Sequence, residues 1–254
     1  MYKIDEIISI ANNAGKAILE IYSNSEESIN ISYKNDNSPL TAADKASNDI
    51  ICKELERISQ NIPILSEEGK HTDFEKRKKW NQFWLIDPLD GTKEFINRNG
   101  EFTVNIALID KGKPILGVVH APVNNITWYT DGKKSYKIEN GVSNIISVKT
   151  PSLNDKIKVV SSRSHANNPK LENYLNNFKK VELVKMGSSI KICLVADGSA
   201  HLYPRFGPTM EWDTAAAHAV VKFAGGNILN MENNKELNYN KSNLLNPEFL
   251  VNYK

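Results

Sequence analysis

Two aspartates, Asp87 and Asp90, lie in a stretch whose residue types could bind a metal ion: Trp84-Leu-Ile-Asp87-Pro-Leu-Asp90-Gly-Thr92-Lys-Glu-Phe95. The apolar residues that begin this stretch predict the end of a buried strand, and the Asp-Pro and Asp-Gly pairs that follow are turn formers. We therefore expect the strand to end by presenting both carboxylates in a turn. Carboxylate oxygens are the ligands that hard cations such as Mg²⁺ prefer.

The same stretch contains a candidate phosphate site. Thr92 can cap a short helix that begins at Lys93, which leaves free backbone N–H groups around Gly91 and Thr92 beside the carboxylates. N–H groups at the start of a helix bind phosphate oxygens. The stretch could therefore hold both parts of a metal–phosphate complex.

An ordinary structural explanation competes with this functional one, because the motif is short. Asp87 and Asp90 could be turn residues and Thr92 a helix cap. The local pattern alone supports the structural and the functional explanation equally. Phosphatases of the haloacid dehalogenase type place a nucleophilic Asp two residues before a second Asp, whereas the separation here is three. Asp87 is therefore better interpreted as a metal ligand than as a covalent nucleophile.

The composition is typical of a soluble globular protein, with 40% hydrophobic and 24% charged residues among 254. This length allows one large domain or two modest ones. A net charge of +2, left by 32 basic and 30 acidic side chains, predicts no general attraction to nucleic acid or membranes. No apolar run reaches the roughly 20 residues of a membrane helix, and no signal-peptide pattern begins the chain. Cys52 and Cys193 are isolated, as is typical of buried thiols in a reducing compartment, so we expect a cytoplasmic protein.

The first half of the chain predicts helices followed by strands. Residues 4–22 have apolar side chains at three- and four-residue spacing, which is typical of an amphipathic helix. Thr41-Ala-Ala-Asp44 resembles a capping box at the start of a second helix, so Asp44 is either a cap or a carboxylate near a metal's water shell. Residues 62–65 predict a strand ending in Ser66-Glu67-Glu68, and pairing with the strand at Trp84 would bring the two acidic ends together.

Further strands are predicted up to about residue 150. Residues 102–108 alternate between apolar and small or polar types, residues 115–120 are an apolar run, and residues 126–138 have a hairpin turn at Asp131-Gly132. Residues 1–150 are thus expected to form an α+β half with a largely antiparallel sheet.

Residues 151–254 predict an α/β half, because strand and helix patterns alternate there. The predicted elements are strands at residues 157–160, 181–184 and 201–203 and helices at residues 169–178 and 188–196. Asp213 stands directly before a run of helix-forming residues that ends at Gly225-Gly226. A helix N-cap would explain Asp213 without any catalytic role.

Several motifs resemble the inositol monophosphatase superfamily of Mg²⁺-dependent, Li⁺-sensitive phosphatases. The principal ones are Ser66-Glu67-Glu68, Asp87-Pro-Leu-Asp90-Gly-Thr92 and Trp212-Asp213-Thr-Ala-Ala-Ala, in that order over most of the chain. Lys93-Glu-Phe95 resembles the 3′(2′),5′-bisphosphate nucleotidases of the CysQ type, whereas inositol monophosphatases usually have Thr-Asn-Phe there. Supporting stretches are Ser38-Pro-Leu-Thr41-Ala-Ala-Asp44, Ser161-Ser-Arg-Ser-His165, Gly187-Ser-Ser-Ile-Lys191 and Leu202-Tyr-Pro-Arg205-Phe-Gly-Pro208. The resemblance implies an α/β fold layered as an αβαβα sandwich.

The resemblance also implies a set of metal ligands. Glu67, Asp87 and the backbone carbonyl of Leu89 would hold a first Mg²⁺, and Asp87, Asp90 and Asp213 would hold a second, in a site for two or three ions. Two cations roughly 4 Å apart can stabilise both the attacking and the leaving oxygen of an in-line displacement at phosphorus. No phosphoenzyme is expected.

The catalytic roles implied by the resemblance fall on residues around the same point. Thr92, hydrogen-bonded to Glu67 or Asp44, would position and help deprotonate the attacking water. The amides of Gly91 and Thr92 would bind the phosphoryl oxygens.

Four residues of the second half match positions that would surround a nucleotide and its second phosphate: His165, Ser188, Lys191 and Arg205. Without the resemblance, His165 could be a surface loop residue, and Lys191 and Arg205 could be solvated cations. Arg205 lies between a proline and a phenylalanine, a setting suited to stacking or to a phosphate fork.

The implied activity is hydrolysis of adenosine 3′,5′-bisphosphate to AMP and phosphate, which would remove a by-product of sulfate activation. The substrate would be a small nucleotide bisphosphate and not a nucleic acid polymer. An inositol monophosphatase or a broad sugar-phosphate phosphatase is the nearest alternative enzyme. A non-catalytic module that binds phosphorylated ligands is the alternative from another class. Peripheral association with the inner membrane is compatible with the expected cytoplasmic location.

Overall fold

The computed structural model describes residues 3–23, 31–33, 39–70, 72–152, 155–163 and 168–253. The helices are α1 Ile4–Tyr22, α2 Ala42–Ile58, α3 Phe74–Arg77, α4 Thr92–Ile96, α5 Pro169–Leu175, α6 Ile190–Ala196 and α7 Glu211–Phe223. The strands are β1 Ile31–Tyr33, β2 Pro39–Thr41, β3 Ile64–Ser66, β4 Gln82–Asp90, β5 Thr103–Asp110, β6 Lys113–Ala121, β7 Ile126–Thr130, β8 Ser135–Glu139, β9 Val142–Ile146, β10 Ile157–Ser162, β11 Val181–Met186, β12 Tyr203–Arg205, β13 Gly226–Asn230 and β14 Phe249–Tyr253.

The two long N-terminal helices lie where the sequence predicts them. α1 begins and ends at the predicted residues, and α2 begins with a capping box in which Asp44 Oδ2 accepts the N–H of Thr41 at 2.8 Å. Thr41 Oγ1 accepts the N–H of Ala43 at 3.2 Å. Among the helices in the described ranges, none is both long and apolar enough to cross a bilayer.

A seven-stranded sheet forms the centre of the fold, in the order β3-β4-β5-β6-β7-β8-β9. β3 and β4 are parallel and the other neighbours are antiparallel, which confirms the largely antiparallel sheet. The predicted hairpin is also confirmed, because Asp131 Oδ1 accepts the N–H groups of Lys133 and Lys134 at 2.8 Å each. Gly132 has a φ of 82°, a left-handed value that glycine adopts without steric cost.

Both faces of the central strands are buried. On β5, Ile106 and Leu108 pack in one hydrophobic cluster with residues of α1 and α2. Ala107 and Ile109 pack in a second cluster with residues of α6 and α7. The alternating pattern therefore identifies the strand, while the helices on each side bury both sets of side chains.

Layers of helices and strands follow one another across the molecule. α6 and α7 lie between the large sheet and a three-stranded sheet of order β12-β14-β13. The parallel pair β10 and β11 adjoins that second sheet, since the N–H of Val160 donates to the carbonyl of Leu202 at 2.8 Å. The mixed α/β class is thus confirmed. The predicted division at residue 150 stays a prediction, and one core cluster contains side chains of both halves, for example Phe83 and Val220.

Two elements of the second half are shorter than predicted at one end. α5 ends at Leu175 and not at residue 178. α6 begins at Ile190 and not at Ser188, because Ser188 has a left-handed φ of 55° that the α-helix excludes. The predicted strand at residues 201–203 is β12, shifted to Tyr203–Arg205 by its pairing with β14.

Gly117 on β6 sets how closely α7 approaches the sheet. A Cβ atom at Gly117 would lie 2.2 Å from the carbonyl oxygen of Ala216 and 2.8 Å from the Cβ of Ala219. We expect Gly117→Ala to lower the free energy of unfolding by about 1–3 kcal/mol, because α7 must move away from the sheet. Urea denaturation measures this loss. Gly69→Ala is the control, since its nearest contacts are ordinary ones at 3.4 Å; equal stability of the two variants would contradict the close approach.

Candidate active site

Asp87 and Asp90 lie at a bulge inside β4 and not in a turn after it. Asp87 is opposite Asn105 of β5, Asp90 is opposite Thr103, and the register shifts between the two pairs. Pro88 has no N–H to donate to a strand ladder, which favours a bulge at this point. The prediction of a turn after the strand is therefore wrong, because both aspartates lie within β4. The bulge nevertheless brings both carboxylates to the same end of the strand.

α4 begins one residue earlier than the sequence predicts, so Gly91 and not Thr92 is its N-cap. Gly91 is the N-cap of α4, with a left-handed φ of 95°, and Thr92 is the first helical residue. Freed from capping, the Thr92 hydroxyl donates to Asp44 Oδ1 at 3.3 Å. The structure thus brings Thr92 to Asp44, one of the two acids considered as its partner.

Asp44 serves its helix and the site at the same time. Its Oδ2 atom accepts from the N–H and the hydroxyl of Thr41, at 2.8 Å and 2.5 Å. Its Oδ1 atom accepts from Thr92. The capping and functional interpretations of this buried carboxylate are therefore compatible, since each uses a different oxygen.

Three acids from separate elements meet in one cluster. Carboxylate oxygens of Glu67, Asp87 and Asp213 all lie within 4.8 Å of one another. Glu67 follows β3, and its N–H donates to the carbonyl of Ile86 at 3.1 Å, which fixes it beside β4. The expected meeting of two acidic strand ends is confirmed.

Asp213 reaches the cluster from the first turn of α7. It is the third helical residue and not the N-cap, and its Oδ2 atom accepts the N–H of Met210 at 3.0 Å. This bond holds the carboxylate against the helix start while the side chain faces the other acids.

Burial and close packing make negative charge in this cluster costly unless a cation is bound. Burial raises the pKa of Asp87 well above its usual range, and the charges of Glu67 and Asp90 raise it further. Burial and the charge of Asp90 likewise raise the pKa of Asp213. Buried carboxylates of this kind are paired or coordinate metals. A set of hard oxygen donors fits Mg²⁺.

Asp90 and Leu89 complete the predicted ligand set. Asp90 Oδ2 accepts the Ser188 hydroxyl at 2.8 Å and the N–H of Ser189 at 2.5 Å. Leu89 lies in the bulge, and its N–H donates to Asp87 Oδ1 at 3.1 Å. Asp90 is therefore close enough to the cluster of Glu67, Asp87 and Asp213 for its charge to raise the pKa of both other aspartates, while the carbonyl of Leu89 stays a predicted ligand.

A cavity of about 370 Å³ opens beside these acids and unites them with the predicted substrate residues. Ser188, Lys191 and Arg205 line it together with Asp90 and Asp213. The cavity also has walls that the sequence did not single out: Glu94, Ser162, Ser189, Tyr203, Thr209 and Phe249. Four of these residues lie within motifs quoted for the family resemblance: Glu94, Ser162, Ser189 and Tyr203. Thr209 and Phe249 lie in none of them. His165 lies outside the described residues.

Lys191 and Arg205 place two cationic groups at the cavity. Lys191 is only 7% exposed, and its ammonium group donates to the carbonyl of Ser188 at 2.5 Å. Burial lowers the pKa of Lys191 to about 8. Arg205 donates from Nε to the carbonyl of Gly207 at 3.2 Å and from Nη2 to the carbonyl of Pro208 at 3.0 Å. The solvated alternative is therefore wrong for Lys191.

Comparison with known proteins identifies the class of the fold and site. The Inositol monophosphatase family matches residues 3–252, so the chain belongs to that family. Enzymes of this family are metal-dependent, in agreement with the acidic cluster. The expected family fold is thereby confirmed.

Individual relatives lie within one group of that family. The chain is 48% identical over 251 residues to the 3′(2′),5′-bisphosphate nucleotidases CysQ of Shigella flexneri and Escherichia coli K12, covering 98% of this chain and 98% of each relative. The crystal structure of CysQ from Bacteroides thetaiotaomicron superposes with a TM-score of 0.86 at 41% identity, over 99% of this chain and 98% of that one. The resemblance to CysQ-type proteins is confirmed.

Asp87 lies at the centre of the cluster, so replacing it tests the metal site. We expect Asp87→Asn to abolish metal-dependent turnover, because it removes a charge shared by the cluster. The metal-free variant should be at least as resistant to urea as the parent, because repulsion among buried acids falls and Asn Oδ1 can still accept from Leu89. Asp110→Asn is the matched control for both measurements, because Asp110 lies at the end of β5 that is away from Asp87 and Asp90. Near-normal turnover at saturating Mg²⁺ would contradict the assignment.

Proposed function

We propose that this chain is a Mg²⁺-dependent 3′(2′),5′-bisphosphate nucleotidase that hydrolyses adenosine 3′,5′-bisphosphate to AMP and phosphate. The observation that carries the proposal is the single cavity that joins the acidic residues Asp90 and Asp213 to the cations Lys191 and Arg205. The names of the CysQ relatives support the same activity.

The metal site in this proposal uses the acids in two overlapping sets. Glu67, Asp87 and the carbonyl of Leu89 would hold one ion, and Asp87, Asp90 and Asp213 would hold another, in a site for two or three Mg²⁺ ions. Bound there, the ions would supply positive charge for the attacking and leaving oxygens of the displacement.

Thr92 and Asp44 orient the attacking water. Thr92 donates its only hydroxyl proton in the hydrogen bond to Asp44, so the hydroxyl oxygen of Thr92 can accept a hydrogen bond from water. As the water oxygen bonds to phosphorus, Thr92 takes a proton from that water and passes its own proton to Asp44. The bond from phosphorus to the ester oxygen breaks in the same displacement, and the released nucleotide oxygen takes up a proton from solvent. Glu67 remains the alternative acidic partner for Thr92 in this step.

The phosphoryl group is bound by the amides of Gly91 and Thr92 at the start of α4. The N–H groups of a first helical turn lack partners within the helix, so they can donate to phosphoryl oxygens. Those donors are fixed before the reaction, which is the condition for electrostatic stabilisation of a transition state.

The second phosphate and the nucleoside would contact Ser188, Lys191, Arg205 and His165. A monophosphate needs only the acidic site, whereas a second phosphate gains from two cations in the same cavity. This difference favours the nucleotidase over an inositol monophosphatase or a sugar-phosphate phosphatase. A non-catalytic binding module would have no need of the Thr92–Asp44 hydrogen bond. The proposed cellular role is removal of the by-product of sulfate activation in the cytoplasm.

A phosphate-release panel tests the proposal. Adenosine 3′,5′-bisphosphate should be hydrolysed in Mg²⁺ with a higher kcat/KM than inositol 1-phosphate or fructose 1,6-bisphosphate, and chelation of the metal should stop all three reactions. Arg205→Ala should lower kcat/KM for the nucleotide bisphosphate by about ten- to a hundredfold, because a charged hydrogen bond contributes about 1.5–3 kcal/mol.

The same variant should change hydrolysis of inositol 1-phosphate little, and Arg57→Ala, an exposed arginine outside the site, serves as the matched control. Equal losses on both substrates would make Arg205 structural. A parent enzyme that prefers inositol 1-phosphate would overturn the nucleotidase proposal.

The pH dependence of substrate capture tests Lys191 separately. Its pKa of about 8 means that the free enzyme loses this positive charge as the pH rises through that value. We expect kcat/KM for the nucleotide bisphosphate to fall above pH 8, because a neutral amine attracts the second phosphate less. Lys191→Met should lower kcat/KM at pH 7 and remove the decline. A decline that persists in Lys191→Met would assign it to another group.

A further inference from the structure

A chain of hydrogen bonds runs from the interior of the sheet to Asp90. The Ser188 hydroxyl donates to Asp90 Oδ2 at 2.8 Å, since a carboxylate can only accept. Thr103 Oγ1 lies 2.6 Å from Ser188 Oγ. Because the only proton of the Ser188 hydroxyl is used in the hydrogen bond to Asp90, Thr103 is the donor in its contact with Ser188. The order of donation is therefore Thr103 to Ser188 to Asp90.

Thr103 belongs to neither the cavity nor the acidic cluster. It is fully buried on β5, directly opposite Asp90 across the bulge. Its oxygen also lies 2.8 Å from Ser189 Oγ and 3.1 Å from Asn105 Oδ1. Ser188 and Asn105 compete for the single Thr103 proton, and the 2.6 Å contact with Ser188 is the shorter of the two. The hydroxyl thus lies behind Asp90 and contacts both Ser188 and Ser189, the two residues that donate to Asp90 Oδ2.

Contacts with two other residues hold Ser188 in an uncommon backbone conformation. Its φ of 55° is left-handed, which is uncommon for a residue with a side chain. Thr103 fixes its hydroxyl, and Lys191 donates to its carbonyl. Ser188 is therefore fixed from the sheet and from the cavity, and its hydroxyl direction is set before any ligand arrives.

We infer that Thr103 is a positioning residue for Asp90: through Ser188 it directs the Asp90 carboxylate so that Oδ1 is presented to the cation. The inference rests on the proposed function, because Asp90 is a metal ligand only under that proposal. Both donors from the 188–189 segment use Oδ2, so Oδ1 receives neither of these bonds. Donation by Thr103 polarises the Ser188 hydroxyl and strengthens the bond to the carboxylate.

Thr103→Val and Thr103→Ser test this role as a matched pair. Valine keeps the shape and loses the hydroxyl, while serine keeps the hydroxyl and loses a methyl group. Partners of metal ligands typically change metal affinity by about 10–100-fold, and Thr103 acts one bond further away. Calorimetric titration of the full chain with Mg²⁺, without substrate, should therefore show about three- to tenfold weaker binding for Thr103→Val. Thr103→Ser should stay within about twofold of the parent.

Ser188→Gly provides a second measurement that does not depend on the buried threonine. Glycine accepts the left-handed φ, so the variant keeps the backbone conformation and removes the hydroxyl that links Thr103 to Asp90. We expect about 10–100-fold weaker Mg²⁺ binding. If Ser188 were only a nucleotide contact, this variant would raise KM for the bisphosphate and leave Mg²⁺ binding unchanged.

Mg²⁺ affinity equal to that of the parent in Thr103→Val, or equally weakened in the valine and serine variants, would overturn the inference. If Thr103→Val fails to fold, parent-like Mg²⁺ affinity in Ser188→Gly overturns it and weakened affinity supports it. A parent that binds Mg²⁺ but releases no phosphate from any substrate would refute the proposed function alone, since the titrations do not measure turnover.

Discussion

Mutual repulsion among buried carboxylates is the constraint on which this structure depends. Glu67, Asp87 and Asp213 would separate if the chain allowed it, and burial makes their charges more costly. The surrounding fold holds them at short range, with Glu67 and Asp87 on paired strands and Asp213 on a helix packed against the same sheet. A bound cation would attract these carboxylates and offset their mutual repulsion, so their arrangement favours metal binding.

Local hydrogen bonds hold the acids that come from helices. Asp44 and Asp213 each occupy the third position of a helix and each accept a backbone N–H three residues earlier, from Thr41 and Met210. An acid at this position satisfies a free N–H group of the helix start and keeps its remaining oxygen for the site. Secondary structure and chemistry therefore use the same side chains, which is why a capping explanation did not exclude a functional one.

The site forms where elements distant in sequence pack together. The close approach of α7 to β6 at Gly117 brings Asp213 to the sheet. The 188–189 segment reaches Asp90 from the other half of the chain, with Ser188 and Asp90 separated by 98 residues. Cations and acids thereby share one cavity. Under the proposed function, recognition of a second phosphate and the metal chemistry therefore depend on the same packing of the two halves.

The sequence by itself determined the features that depend on neighbouring residues. The apolar spacing of α1, the capping box at Thr41 and the Asp131-Gly132 hairpin are local interactions, and the acidic motifs predicted a set of metal ligands and indicated the family. Tertiary structure decided the rest, because those features depend on contacts between distant residues. The pairing of β4 with β5 made a bulge out of the expected turn, Gly91 took the cap position from Thr92, and Asp44 became the partner of the Thr92 hydroxyl. Thr103 and Ser188 are 85 residues apart, and no pattern along the chain links them. Only the packing of the two halves places a threonine hydroxyl behind the serine that holds Asp90.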